Sequence, residues 1–214
     1  IGLEEAARDL RYAFFDSLGD GALVATAHTA DDNAETLLMH LLRGTGPHGM
    51  GGIPPIRGRY LRPMLRVTRQ EVEAYLREKG IPHREDSSNA LDDTLRNRIR
   101  HRVIPLLEEM NPRFSENASF AAGLLYEDNR YLEGLAAAFL EAHRRQDRLP
   151  VQALQSLDAT LRERVLRLMC GPSLEREHVA MLDALLASGN PSASVDLPGL
   201  RVRREYGDLV FGGE

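Results

Sequence analysis

The stretch from Ala22 to Leu42 constrains the fold more than any other part of the chain. A short apolar run, Ala22, Leu23, Val24 and Ala25, gives way to helix-period spacing at Ala34, Leu37, Leu38, Leu41 and Leu42. That is a buried strand feeding directly into a helix, the repeating unit of an α/β fold. His28, Asp31, Asp32 and Glu35 sit between the two elements. In an open α/β sheet, ligands bind in the crevice beyond the carboxyl ends of the strands, so these polar groups lie where chemistry is done.

Helix geometry brings the acids together. Asp31 and Glu35 are four residues apart and Asp32 and Glu35 three apart, so at least one carboxylate pair shares a face of the first turn. The like-charge pair costs about 0.2–0.5 kcal/mol, while each acid near a helix N-terminus gains about 0.3–1 kcal/mol from the dipole. Two readings are therefore open: a plain acidic helix start, or a carboxylate cluster that holds Mg²⁺ on a nucleotide or steers a substrate amine. His28 is either a donor to a phosphate or a satisfied turn histidine.

Charge is unevenly divided. Residues 1–52 carry eight acids against three bases, residues 53–105 seven against twelve, and residues 106–214 seventeen against twelve. The middle is a basic island, and every base in it except Lys79 is arginine. Cys170 is the one cysteine of the 214 residues, which excludes an internal disulfide or a CxxC metal motif. No apolar run approaches a membrane span, so a cytoplasmic protein with no membrane partner is expected. The first residue is Ile1 rather than Met, and the chain reads as a fragment of a longer one.

Taken in order, residues 3–18 form an amphipathic helix with Leu3, Ala6, Ala7, Leu10, Phe14 and Leu18 on one face. Arg8 and Arg11 fall together on a neighbouring face. The helix after the acidic turn ends at Arg43-Gly44, with Gly44 a left-handed cap, and a glycine-rich loop runs from Thr45 to Gly52. Residues 53–65 read as two short extended segments around Arg57-Gly58, limited by Pro54, Pro55 and Pro63 to edge or hairpin character. Thr68 and Glu71 make a capping box for the next helix, which Gly80 ends. A helix from Leu91 to Leu107 carries Arg96 and Arg100 side by side and Arg98 and Arg102 farther round. Such a row is stable only if acids or phosphates face it; the alternative is a solvated face paired with nearby acids such as Asp92 and Glu108. Beyond Pro112 come a long helix over 115–143, with Phe120, Leu124, Leu125, Leu132, Leu135 and Phe139 as its apolar set, then helices near 151–169 and 174–187. Short strands at 195–197, 200–202 and 209–211 close the chain.

Several stretches together resemble the bacterial tRNA(Ile)-lysidine synthases of the PP-loop (N-type) ATP pyrophosphatase family. His28 to Thr36 is similar to an H-x-x-D-D-x-x-E-T signature; Arg43-Gly44-Thr45-Gly46 to an R-G-[ST]-G loop; Arg62 to Leu65 to R-P-L-L. Glu85 to Asn89, followed by Arg96, Asn97 and Arg100, is similar to E-D-x-S-N and R-N-x-x-R, and Glu5 to Tyr12 to E-x-x-R-x-x-R-Y. The resemblance implies an α/β fold: the C-terminal part of a Rossmann-like PP-loop catalytic domain (residues 1–65), a basic helical linker (66–112) and a mainly helical tRNA-binding domain with a terminal β-ribbon (113–214). It implies ATP and Mg²⁺ as cofactors, with free L-lysine and tRNA(Ile) bearing a CAU anticodon as partners. The implied reaction replaces the C2 oxygen of the wobble cytidine with lysine through an adenylated base.

By the same resemblance Asp32 and Glu35 hold lysine or metal, with Asp32 the candidate Mg²⁺ ligand and Asp31 and His28 in support. Arg8 and Arg11 meet nucleotide or phosphate, Arg43, Gly44, Thr45 and Gly46 lie near substrate, and Arg96, Asn97 and Arg100 grip the anticodon stem-loop. The family's S-G-G-x-D-S phosphate loop does not occur in this sequence, so the chain by itself is expected to be inactive without an upstream segment. A tRNA thiolase of the same superfamily and a non-catalytic tRNA-binding module are the competing readings.

Overall fold

The computed structural model describes residues 3–19, 21–83, 94–171 and 174–212, and in the first helix the side chains of residues 3–5, 7 and 8 lie outside that description. The Glu85–Asn89 motif falls outside it as well. The chain forms two compact units, residues 1–129 and 130–214.

The first unit is α/β. Helix α1 (Leu3–Asp16) precedes strand β1 (Val24–Ala25), helix α2 (Ala30–Leu42) and the single turn α3 (Pro47–Met50). Strands β2 (Ile56–Arg57) and β3 (Tyr60–Leu61) form an antiparallel hairpin, and β3 lies parallel to β1 with Ala25 opposite Leu61. The sheet order is β1-β3-β2. Helix α4 (Arg69–Lys79) begins at Thr68, which accepts from the Glu71 amide while Glu71 accepts in return, and ends at Gly80 with φ 62°. Helix α5 (Leu95–Arg98) passes into a wide π-helical turn, Ile99–Val103, and then into α6 (Ile104–Met110). The amide of Ile104 closes that turn onto the carbonyl of Ile99, five residues back. The core of this unit gathers Ala34 and Leu37 of α2, Ile99, Ile104, and Ala118 and Ala122 of the long helix α7 (Phe114–His143).

Two apolar faces differ from the sequence expectation. In α1, Leu10 is 72% exposed, and Phe14 and Leu18 are exposed with it. The helix instead meets the sheet through Tyr12 and Phe15, whose rings lie 5.1 and 6.1 Å from that of Tyr60. Tyr60 donates to Asp16, and the Arg59 guanidinium donates to the carbonyls of Gly19 and Phe15 at the helix end. An aromatic pair three apart contributes more contact area than the aliphatic stripe, and edge-to-face geometry adds to it. In α7 the large residues Phe120 and Leu124 are exposed, whereas Ser115, Ala118, Ser119, Ala122 and Asn129 are buried. Small residues at helical spacing let backbone come close. A Cβ added at Gly51 would stand 3.2 Å from the Tyr126 Cα, and one at Gly52 3.1 Å from the Ala122 Cβ. The glycines at this end of the loop are spent on packing against α7.

The second unit has helices α8 (Val151–Gln155), α9 (Ala159–Cys170) and α10 (Arg176–Ala187) with a four-stranded antiparallel sheet. The sheet order is β4 (Arg148–Pro150), β7 (Asp208–Gly212), β6 (Leu200–Glu205), β5 (Ser194–Leu197). The expected ribbon thus gains a fourth strand, since three residues ending in proline show no alternation that a sequence pattern could catch. The expected 151–169 helix is two helices, broken where Asp158 caps α9 by accepting from the Thr160 amide. The core joins Leu149, Leu154, Val165, Leu166, Leu182, Val202, Leu209 and Phe211.

Candidate functional site

The polar groups after β1 are fixed in place by the start of α2. Thr29 is the N-cap and accepts from the Asp32 amide; Asp32 Oδ2 accepts in return from the Thr29 amide at 2.9 Å and from its hydroxyl at 3.1 Å. An aspartate at the N3 position thus closes a capping box usually made by Glu or Gln. One oxygen of Asp32 is committed to the cap; Oδ1 faces the Arg100 Nη2 at 3.5 Å.

One turn on, Glu35 is 1% exposed. Arg100 grips it with both edges of its fork, Nε to Oε1 at 2.6 Å and Nη2 to Oε2 at 2.9 Å. Arg96 adds Nε to Oε2 at 2.9 Å, and its Nη2 reaches the Thr36 hydroxyl at 3.1 Å. Two arginines on one turn of helix therefore clamp one buried carboxylate through charge-assisted bonds. Burial works against the charge on Arg100, but its hydrogen bonds to Glu35 and the charges of Glu35, Asp32 and Asp31 raise its pKa above the ordinary arginine value. The row of bases does meet acids, as its stability requires, and both guanidiniums expected on RNA point at Glu35. Asn97, between them, is buried.

His28 stands at the mouth of this arrangement. Its Nδ1 is 2.9 Å from the Thr26 hydroxyl, and no other hydrogen bond engages the ring among the described residues. Burial lowers its pKa; Asp32 opposes that, while Arg62, Arg96 and Arg11 reinforce it. The lowered pKa favours the neutral imidazole, and Nε2 has no hydrogen bond among the described residues. Asp31 turns elsewhere: its Oδ2 accepts from the Arg69 amide at 2.7 Å and so caps α4. Arg11 is exposed on α1; Arg8 lies on the same helix with its side chain outside the description. Arg43 is the exposed C-cap of α2, and Gly44 follows with φ 69°, the left-handed cap expected. Thr45 donates its amide to the His40 carbonyl, and Gly46 caps α3. No side chain of this loop is hydrogen-bonded to Asp32, Glu35 or His28 among the described residues.

The sequence reading missed Thr26, Thr36 and Arg62. The first two are hydroxyls at ordinary positions; Arg62 stood in a quoted motif without a role. For Mg²⁺, no group of three His, Cys, Asp or Glu residues among those described could hold a metal. Glu35 has both oxygens on guanidiniums, and Asp32 has Oδ2 on the cap and Oδ1 at 3.5 Å from Arg100, which does not make a cation site of its own.

A family described as PP-loop domain matches residues 1–107, and one described as TilS substrate binding domain matches residues 149–210. The chain is 40% identical over 230 residues to the tRNA(Ile)-lysidine synthase of Geobacillus kaustophilus, covering 99% of this chain and 50% of that protein. Its identity to the tRNA(Ile)-lysidine synthase of Geobacter sulfurreducens is 38%, over 99% of this chain and 48% of the relative. To that of Leifsonia xyli it is 36%, over 98% and 67%. The chain thus spans about half the length of the first two relatives. With an acidic strand-to-helix turn clamped by two arginines, a PP-loop match over its first half and relatives along nearly its whole length, the chain belongs to the tRNA(Ile)-lysidine synthase family.

Proposed function

We propose that the protein containing this chain modifies tRNA, joining lysine to C2 of the wobble cytidine of tRNA(Ile) with a CAU anticodon. ATP supplies the activation: the C2 oxygen attacks the α-phosphate, pyrophosphate leaves, and the lysine ε-amine then displaces AMP from C2. The observation that carries this reading is the buried Glu35 between Arg96 and Arg100, with Asp32 Oδ1 held only by a long 3.5 Å contact to Arg100 and His28 Nε2 without a hydrogen bond among the described residues. In it, Glu35 holds the two arginines in register, and Asp32 Oδ1 accepts from the incoming amine. The neutral imidazole of His28 takes the proton the amine sheds on attack. Arg11 and, one turn earlier, Arg8 offer charge to the nucleotide phosphates. Residues 66–112 serve as a basic linker, and the exposed Arg98 and Arg102 of that stretch are better placed for RNA phosphates than Arg96 and Arg100. No step is assigned to Mg²⁺.

A thiolase reading gains nothing from this chain. Burial pushes the Cys170 thiol up to about 11, far from the thiolate such chemistry needs.

The test is transfer of radiolabelled lysine to a CAU-anticodon tRNA(Ile) transcript by the full-length protein with ATP. Incorporation is expected in the parent, and Asp32→Asn abolishes it while tRNA affinity stays within about two-fold. Because Asp32 also caps α2, the variant is compared by thermal melting; loss of a cap costs about 0.5–2 kcal/mol. Equal loss of transfer and tRNA binding, or no incorporation by the parent, overturns the reading.

A further inference from the structure

Arg62 is the arginine that the site described above does not use. It is 7% exposed, the one arginine among the buried polar residues of the described chain. Its Nη1 donates to the Pro54 carbonyl at 2.7 Å, and its Nε, also buried, has no partner. No carboxylate pairs with it among the described residues. Three other arginine Nε atoms are likewise orphaned, but those residues are less buried, and Arg59 and Arg204 each donate to two backbone carbonyls. A buried guanidinium held by one carbonyl keeps most of its desolvation penalty uncompensated.

Its place in the sheet gives that cost a purpose. Strand β3 runs parallel to β1 with Ala25 opposite Leu61, and the Thr26 amide bonds to the Leu61 carbonyl. Arg62 therefore leaves the carboxyl end of β3 level with Thr26, two residues before His28. Both positions lie at the carboxyl ends of parallel strands, the end of such a sheet at which ligands bind. Since Nη1 is taken by Pro54 and Nε is shut away from solvent, Nη2 is the donor that remains for an oxygen of an anion.

We propose that Arg62, with His28 beside it, forms an oxyanion site at the carboxyl ends of β1 and β3, taking a carboxylate or phosphate group of a substrate. The proposal leans on the function above only for the owner of that group, which would be lysine through its α-carboxylate or ATP through its phosphates.

The experiment measures binding by the full-length protein, with no turnover needed. Inorganic pyrophosphate and L-lysine are titrated separately by calorimetry against the parent, Arg62→Gln and Arg62→Lys, with 1,5-diaminopentane as a lysine lacking its carboxylate. The parent is expected to bind at least one probe, Arg62→Gln to weaken it by about 10- to 100-fold, and Arg62→Lys to retain part of the affinity. Pyrophosphate binding assigns the phosphate source; lysine binding without diaminopentane binding assigns the carboxylate. Without ligand, Arg62→Gln should melt no lower than the parent, because it removes an unpaired buried charge. If Arg62→Gln fails to fold, the His28 titration followed by NMR in the parent decides the matter. A seated anion offsets the Arg62 charge and raises the His28 pKa, so a titration unmoved by saturating probe overturns the site. No binding of either probe, or affinities equal in parent and Arg62→Gln, overturns it too. Such failures leave lysine transfer by the full-length protein untouched, so the two readings fall separately.

Discussion

Glu35 is the residue on which the arrangement depends, because its charge is the counter-ion of two guanidiniums that are themselves largely out of water. Glu35→Gln leaves Arg96 and Arg100 facing a neutral group. We expect a loss of about 3–5 kcal/mol in urea unfolding, the usual result of removing one partner from a buried pair. Combined with Arg100→Met, the loss should fall short of the sum by about 0.5–3 kcal/mol, the coupling typical of residues in contact; strict additivity would mean that the clamp is not energetically real. His28 gives a pH signature. Its pKa is lowered on folding, so the unfolded chain binds the proton first as pH falls. The stability is complete above about 6.5, the unfolded value, and is lost as pH falls through the folded pKa. Melting temperature should therefore drop more steeply between pH 7 and 5 in the parent than in His28→Gln, and identical slopes would place the imidazole in water.

At the scale of elements, the strand-to-helix unit, both capping glycines and the Thr68–Glu71 capping box were readable, because each depends on local chemistry within a few residues. What the sequence hid depends on partners far along the chain. Nothing near Asn33 announces that its side-chain amide bonds to Ser119 and its carbonyl oxygen to the Ile53 amide, tying α2, α7 and the loop together. The same holds for Glu35, where the local pattern left a plain acidic helix start open and only residues more than sixty positions away decide its surroundings. In α1 and the first half of α7 the period was right and the chosen face wrong, whereas Phe139 of the same α7 set does pack on the core of the second unit; hydrophobic spacing cannot tell an exposed stripe from a buried one when small or aromatic residues make the contact. Gly52 marks a tight junction between the loop and α2. Its φ is 64°, and a Cβ there would stand 2.2 Å from Asn33 Oδ1. Gly52→Ala is expected to cost about 1–3 kcal/mol through strained backbone alone, with further loss from the displaced amide; a variant as stable as the parent in chemical denaturation would contradict the geometry.

For the molecule as a whole, the arginines of the basic island lie in three different surroundings. Arg96 and Arg100 are occupied by acids and Arg62 is buried, whereas Arg57, Arg66, Arg69, Arg77, Arg98 and Arg102 are exposed. If Arg98 meets a tRNA phosphate, Arg98→Gln should reduce the slope of log affinity against log salt by about 0.7–0.9, measured by filter binding over a salt series. An unchanged slope would take Arg98 off the RNA. The wide turn at Ile99–Val103 bears on how the protein tolerates changes in chain length. Substitution there is absorbed locally, but removing one residue, even the exposed His101, would let the segment close as ordinary α-helix. Each residue of such a helix turns by about 100°, so the four steps then leading from Ile99 to Ile104 would turn by about 400°, and Ile104 would stay one turn on from Ile99. The five-residue turn thus takes up one extra residue without moving the helix that follows, and a one-residue deletion within it should lower the melting temperature less than one inside α2 or α7.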